Sequence, residues 1–479
     1  MKKRFFSLFL LLSLVLTSGF GCKAPDKAVT AGLQPINLTY WRAWDDSSVF
    51  DDQIKKYTEL HPNVKVAYRK FRYEEYEREL IQAFAEDRGP DIFSIPNTWV
   101  NKYQTMIEPL PEKTSLVFQF MQGSIKKELV SQIRVNNTIK PSEVKSQFVD
   151  VVYNDVVIKI PQPEKKTVVE KIYGLPLFVD TLALFYNKDL FNNAGIAQPP
   201  VYWDRTFQQY VKKLTKQDAK GQLIQSGVAL GGSKNIQRSF DILSILMMQN
   251  GAVMQSDSGQ IQFAQIPNTG VRYNPGIEAL RFYTDFANPS KEVYSWNKEL
   301  DDSVNLFVNN QLAMMFGYSY QLPIIKAGAP KLNFAVTKLP QIENSGQAVN
   351  FANYWVETVS KKIMTNPDNL KKGGDYAKLK RDSAWDFVQF ITKEEQAKVY
   401  IEKTKRPTAL RSLVEQQSQV PDLGVFVSQV LTSKSWYHGK GAVEAEGIFN
   451  DMIDQAVLSQ DRIEDVISQS SAKVQQTVN

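Results

Sequence analysis

The chain has 479 residues, with 57 Lys and Arg against 51 Asp and Glu, a net charge of +6. Half of that excess sits in Lys2, Lys3 and Arg4, and what remains is too small for nucleic acid to be a natural partner. One cysteine and two histidines exclude disulfides and thiolate metal sites and leave little for His-dependent catalysis.

Residues 1–21 read as an export signal: the three cations lead into an apolar run from Phe5 to Leu16, then Thr17-Ser18-Gly19. That run is too short to span a bilayer, and no later segment approaches the roughly 20 apolar residues of a membrane span. Cys22 stands directly behind this 1–21 segment. The pattern resembles a bacterial lipoprotein signal, which implies acylation of Cys22 as a lipid attachment point. Each buried CH2 contributes roughly 0.8 kcal/mol, so two or more acyl chains hold a protein to a membrane. Residues 22–35 are small, polar and Pro-containing, a flexible stalk.

Strand and helix then alternate. Ile36 to Trp41 reads as a strand. Asp46-Ser47 caps a helix with Phe50, Ile54, Tyr57 and Leu60 at helical spacing, stopped by His61-Pro62. Val64 to Tyr68 is a second strand. Glu74 to Glu86 is a helix with Tyr76, Leu80, Ile81 and Phe84 on one face, and Asp91 to Ile95 a third strand. This order predicts βαβ units and a largely parallel sheet. Phe118 to Val135 and Pro141 to Val152 read as helical pieces, and Val156 to Ile160 opposes Val168 to Ile172 as a hairpin turning at Pro161 and Pro163. Further on come a strand at Leu182 to Tyr186 and helices at Asp204 to Lys216, Ser239 to Gln249, Pro275 to Ala287 and Asp302 to Val308. Gln311 to Phe316 is a short strand.

The run Tyr173-Gly174-Leu175-Pro176-Leu177, Asp180-Thr181-Leu182-Ala183-Leu184, Tyr186-Asn187-Lys188-Asp189-Leu190-Phe191, Gly195-Ile196, Pro199-Pro200 and Trp203-Asp204 resembles the family 1 extracellular solute-binding proteins of bacterial ABC importers, the maltose-binding-protein-like group. Weaker matches follow at Phe307 to Ala313-Met314-Met315 and at Arg406-Pro407. Tyr202 stands where the family usually has a capping Thr, which moves the cap to Asp204. Asn310 or Gln311 replaces a common Gly, and Asn keeps the left-handed turn possible.

The resemblance implies an α/β, two-lobed periplasmic-binding-protein-like fold of class II, its lobes joined by crossing strands around a central cleft. Crossings are expected near Asp180, near Lys338 to Gln341 and near Arg406 to Leu410. The lobes then divide as 36–178 (N-lobe, first part), 179–341 (C-lobe, first part), 342–404 (N-lobe, second part) and 405–479 (C-lobe, second part), with 113–170 an expansion.

A sugar offers C–H faces and a hydroxyl rim, so its site needs aromatic surfaces beside amide or acidic groups, placed past the strands' carboxyl ends. Trp44 and Asp45 follow the first strand, Asn97 and Trp99 the third. Tyr354 and Trp355 open the returning segment, and Trp296 and Trp436 lie in expected C-lobe loops. The resemblance adds Asp180 as a ligand-binding carboxylate and Tyr318 as an aromatic platform. Arg406 either binds a ligand hydroxyl or closes a salt bridge across the lobes. Trp41, Trp203 and Trp385 read as packing residues.

The function expected is a tethered extracytoplasmic binding protein, on the outer face of the cytoplasmic membrane, that captures a carbohydrate by hinge closure and delivers it to an ABC permease. It acts as a monomer, without cofactor, metal or catalytic step. The alternatives are a surface glycoside hydrolase with two carboxylates about one bond, or the same fold holding a polyamine or a peptide.

Overall fold

The computed structural model describes residue 29 and residues 32–124, 127–162, 164, 166–268 and 272–479. The export signal, Cys22, most of the stalk and Pro163 lie outside the described residues. Among these residues no helix is long and apolar enough to cross a membrane.

Two separate apolar cores form. The first surrounds a five-stranded sheet in the order Val64–Phe71, Ile36–Ala43, Ile92–Pro96, Trp355–Val359, Leu175–Pro176. Its first three strands are parallel, with Tyr40 opposite both Tyr68 and Ile92, as strand–helix–strand order requires. Trp355–Val359 runs antiparallel to both its neighbours, because the chain re-enters there from the other lobe. Helices Asp51–Leu60 and Gly374–Thr392 cover one side, where Tyr57 meets Phe387 edge-on at 5.1 Å. Helix Tyr73–Ala85 buries Tyr76, Leu80 and Phe84, whereas Ile81, expected on that face, points outward. Trp41 packs on Phe71 beside the sheet, and Trp385 is fully buried.

The second core gathers around the antiparallel strands Met314–Gly317, Ala183–Asn187 and Phe334–Thr337. The apolar helix Ser239–Gln249 is buried along nearly its whole length, and Gly251, at φ +94°, ends it. Asp204 caps helix Arg205–Leu214 by accepting from the Phe207 amide at 2.9 Å. Asn310 takes the left-handed conformation at φ +60°.

The stretch 113–137 differs from expectation. Phe118 to Val135 is not helical; Lys113–Gln122 and Glu128–Asn137 form a ten-rung antiparallel hairpin. Its cross-strand pairs Val117–Ile133, Phe120–Val130 and Met121–Leu129 are β-forming residues that gain more from facing one another than from helical spacing. The Arg134 guanidinium lies over Phe118 and Phe120, 4.9 and 5.5 Å from their ring centres. Helices Pro141–Gln147 and Asp150–Val156 and the hairpin Val157–Gln162/Thr167–Ile172 follow.

The chain passes from the first core to the second between Val179 and Leu182, back between Phe351 and Ala352, and to the second again between Val430 and Trp436, with Phe426 already packing into the second core ahead of that last passage. These three passages pair in one small sheet, with Asp180–Thr181 antiparallel to Asn350–Asn353, which runs parallel to Ser433–Lys434. The second and third passages therefore lie downstream of the expected 338–341 and 406–410. Thr408 and Leu410 instead bridge to Phe178 and Phe148, and Ala409, Leu413, Val414 and Val427 pack into the first core. Most of 405–430 thus packs with the first lobe, not the second.

Candidate functional site

The first strand ends in a chain of alternating charges that leads out of the sheet. Glu357, fully buried, accepts from Tyr40 Oη at 2.7 Å and Ser94 Oγ at 3.2 Å. Its carboxylate lies 3.4 Å from the Arg42 guanidinium, which stands 3.2 Å from Asp45. Asp45 in turn accepts from Tyr400 Oη at 2.9 Å and pairs with Arg406 at 3.1 Å. Buried charges survive only when paired in this way. Asp45 is therefore committed on both oxygens and positions Arg406. The Arg406 guanidinium lies 4.3 Å from the Phe178 ring centre, so the ion pair closes within the first core's residues.

One residue earlier, the backbone turns sharply. Trp44 sits at φ +77°, a conformation that costs a non-Gly residue about 1 kcal/mol or more. It presents an indole that is 48% exposed. That ring stacks on Tyr73 at 4.9 Å and 21°, and Tyr73 meets Trp355 edge-on at 6.2 Å. Together they make an aromatic shelf on the first lobe. Trp355 itself is nearly buried against Tyr76.

Opposite stands the second lobe. Tyr318 is fully buried, gives its hydroxyl proton to Asp241 at 2.6 Å, and backs Tyr320 in a stacked pair at 6.1 Å. Tyr320 remains 41% exposed. Arg238, itself at φ +63°, clasps Asp241 with two bonds of 2.7 Å and reaches Glu446 at 3.6 Å. Electrostatics tie the two sides together. Burial raises the Tyr73 hydroxyl's pKa, and the charges of Arg238 and Glu446 act on it from across the cleft. Tyr320 is pushed up to about 12 by burial, with Arg238 opposing and Asp180 adding.

Asp180 occupies the first passage between the cores. It accepts from Ser319 Oγ at 2.6 Å, from the Ser319 amide at 3.0 Å and from the Thr181 amide at 2.9 Å. Burial pushes its pKa up to about 6, against those Ser319 bonds and the charge of Arg406. Its oxygens are already occupied by protein donors, so it braces the hinge to the turn that carries Tyr318 and Tyr320.

The remaining sequence candidates fall elsewhere. Asn97 and Tyr354 both donate to Asp155, at 2.8 and 2.6 Å, and Ser435 Oγ also bonds this carboxylate. They fasten the first lobe to the segment just past the third passage. Trp99 packs in the first core, stacked on Tyr103 at 5.8 Å. Trp296 and Trp436, expected in ligand-facing loops, are buried in the second core. The Trp296 indole bonds Asn235 at 2.9 Å, and the Trp436 indole bonds Ser244 at 3.0 Å among Phe240, Phe263 and Phe449. A loop indole that finds an internal acceptor for its N–H is stable in a core. Tyr73, Arg238 and Glu446 escaped sequence reading. The left-handed conformation of Arg238 has no sequence signal, and Tyr73 lies one position before the expected helix start.

The sequence pattern of bacterial extracellular solute-binding proteins matches residues 44–398. The chain belongs to that family. As a solute-binding protein it is 21% identical, over 85% of its length and 81% of the relative's, to the galactooligosaccharide-binding protein of Bacillus subtilis (strain 168). It is 27% identical over 175 residues to a putative binding protein of Brucella abortus (strain 2308), a match spanning 36% of this chain and only 38% of that one. Its fold is similar to the cyclic alpha-maltosyl-1,6-maltose binding protein of Arthrobacter globiformis, with a TM-score of 0.66 and 16% identity, over 93% of this chain and 99% of that one.

Proposed function

We propose that this solute-binding protein captures a carbohydrate in the cleft between its lobes, held to the membrane through Cys22, and delivers it to an ABC permease. The observation that carries the reading is the Trp44–Tyr73–Trp355 shelf on one lobe, whose Tyr73 feels the charges of Arg238 and Glu446 on the other. Stacked rings accept the C–H faces of a sugar, and the charged rim offers donors and acceptors to its hydroxyls. A solute touching both sides favours the closed arrangement by its differential affinity, and the three short hinge strands are the place where the lobes bend. The sugar-binding character of the Bacillus and Arthrobacter relatives supports the same cargo.

Binding without turnover is the corollary. Asp180, raised to about 6, has its oxygens filled by Ser319 and Thr181 rather than presented to a glycosidic bond, and Glu446, also raised by burial, stands 3.6 Å from Arg238. Calorimetric titration with a maltodextrin and a galactooligosaccharide, alongside a reporter-glycoside hydrolysis assay, tests the reading. Saturable heat from at least one saccharide with no released aglycone is expected. Silence across the saccharides, or release of the reporter, overturns it.

A further inference from the structure

The ribbon made by Lys113–Gln122 and Glu128–Asn137 pairs with no third strand among the described residues. Only its root is packed: Thr114, Leu116 and Val117 are buried, and Phe118 meets His61 edge-on at 4.7 Å. From Phe118 to Asn137 no described residue is buried. At ten residues a strand and about 3.4 Å a residue, the ribbon is about 34 Å long.

A two-stranded ribbon alone is marginal in water, and this one is apolar on both faces. Side chains alternate across a strand, so Val117, Met121, Leu129 and Ile133 share one face and Phe118, Phe120 and Val130 the other. Met121 and Leu129, directly opposite each other near the turn, are 58% and 62% exposed. The ribbon is also basic. Its sequence carries Lys113, Lys126, Lys127 and Arg134 against the single acid Glu128. Exposed apolar side chains beside cations suit an anionic lipid surface, which takes up the first and attracts the second.

The stalk puts such a surface within reach. Gly32 lies against the ribbon's root, where a Cβ would run into Val117 Cγ2, and its carbonyl accepts from Asn63 Nδ2 at 3.1 Å. Ten residues separate it from Cys22, a reach of at most about 35 Å. Ribbon and stalk therefore leave the first lobe at one place and have similar lengths.

We propose that the ribbon is a second membrane contact, resting on the tether proposed at Cys22. Met121 and Leu129 enter the headgroup region of the bilayer, and Lys126 and Lys127 meet its anionic phosphates. A protein held at both points no longer swings on its stalk.

Both apolar cores lie within residues 36–474, so the chain from residue 22 onward, carrying Cys22→Ser, tests the ribbon without an acyl chain. It is cosedimented with vesicles of phosphatidylglycerol and of phosphatidylcholine. The phosphatidylglycerol vesicles bind it at least tenfold more tightly, and raising salt weakens that binding. Met121→Ser/Leu129→Ser, a change of exposed side chains only, loses at least fivefold. A bimane label on Leu129→Cys is quenched by brominated lipid, whereas the same label on Leu458→Cys, exposed on the second lobe, is not. The proposal is overturned by absence of binding to phosphatidylglycerol, by binding that survives the double serine substitution, or by equal quenching at both labels. Binding to native membranes but not to pure lipid makes the ribbon a protein-docking surface and overturns it equally. An unacylated Cys22, read from the mass of the exported protein, contradicts the tether alone, since the Cys22→Ser chain reports on the ribbon separately.

Discussion

Replacing Asp180 with Asn removes a carboxyl whose native pKa stands near 6 against an ordinary 3.8. The gap is about two units, and each unit is about 1.4 kcal/mol, so the buried charge costs about 3 kcal/mol at neutral pH. The native value lies above the unfolded one. The folded state therefore holds this proton more tightly, and the associated stability is full below about pH 3.8 and fades as pH rises through about 6. Asp180 is nearly inaccessible to water, so solvent does not screen the effect. Urea unfolding of wild type and Asp180→Asn at several pH values isolates it. From about pH 4.5 to 7.5 the wild type should lose about 2 kcal/mol relative to the variant. Parallel stability profiles for the two proteins across that range refute the assignment of a burial-raised acid at the hinge.

Trp44→Gly should weaken saccharide binding by at least tenfold in calorimetry while leaving stability unchanged or raised by up to about 1 kcal/mol. Glycine adopts φ +77° freely, and the lost ring is half exposed. Trp296→Ala should do the reverse. It empties a fully buried site at a cost of about 3–5 kcal/mol in urea unfolding, with the affinity of the folded protein changed less than twofold. Arg42→Met strips the cation that lies between Glu357 and Asp45 and should destabilise by about 3–5 kcal/mol, read by the same unfolding assay.

Where packing follows from local period, the sequence was legible. Phe207, Val211 and Leu214 recur at helical spacing and are buried together, and Asn250-Gly251 ends the apolar helix at the residue where φ turns positive. The hairpin 113–137 was not legible, because Leu116, Val117, Phe118 and Phe120 fit either period, and the cross-strand partners that decide the matter lie 10 to 20 residues away. The later hinge passages escaped for another reason: strands of two to four residues such as Ser433–Lys434 and Asn350–Asn353 carry no pattern of their own. The site was half visible. Strand-end position pointed to Trp44, Trp355 and Asp45, and the family resemblance to Asp180, without showing that protein partners already occupy the two acids. It misplaced Trp296 and Trp436, whose acceptors Asn235 and Ser244 are brought close only by the folded core. The charge of Arg238 reaches Tyr73 only once the two lobes face each other.

A double-mutant cycle across the cleft interrogates simultaneous grip by both lobes most directly. Saccharide affinity is measured calorimetrically for wild type, Tyr73→Ala, Tyr320→Ala and the pair. Each single change should weaken binding at least fivefold, and the pair should show a coupling of about 0.5 kcal/mol or more, because losing either wall loosens the other's hold. Full affinity in either single variant would mean that only one lobe touches the sugar, and the account of closure around it would fail.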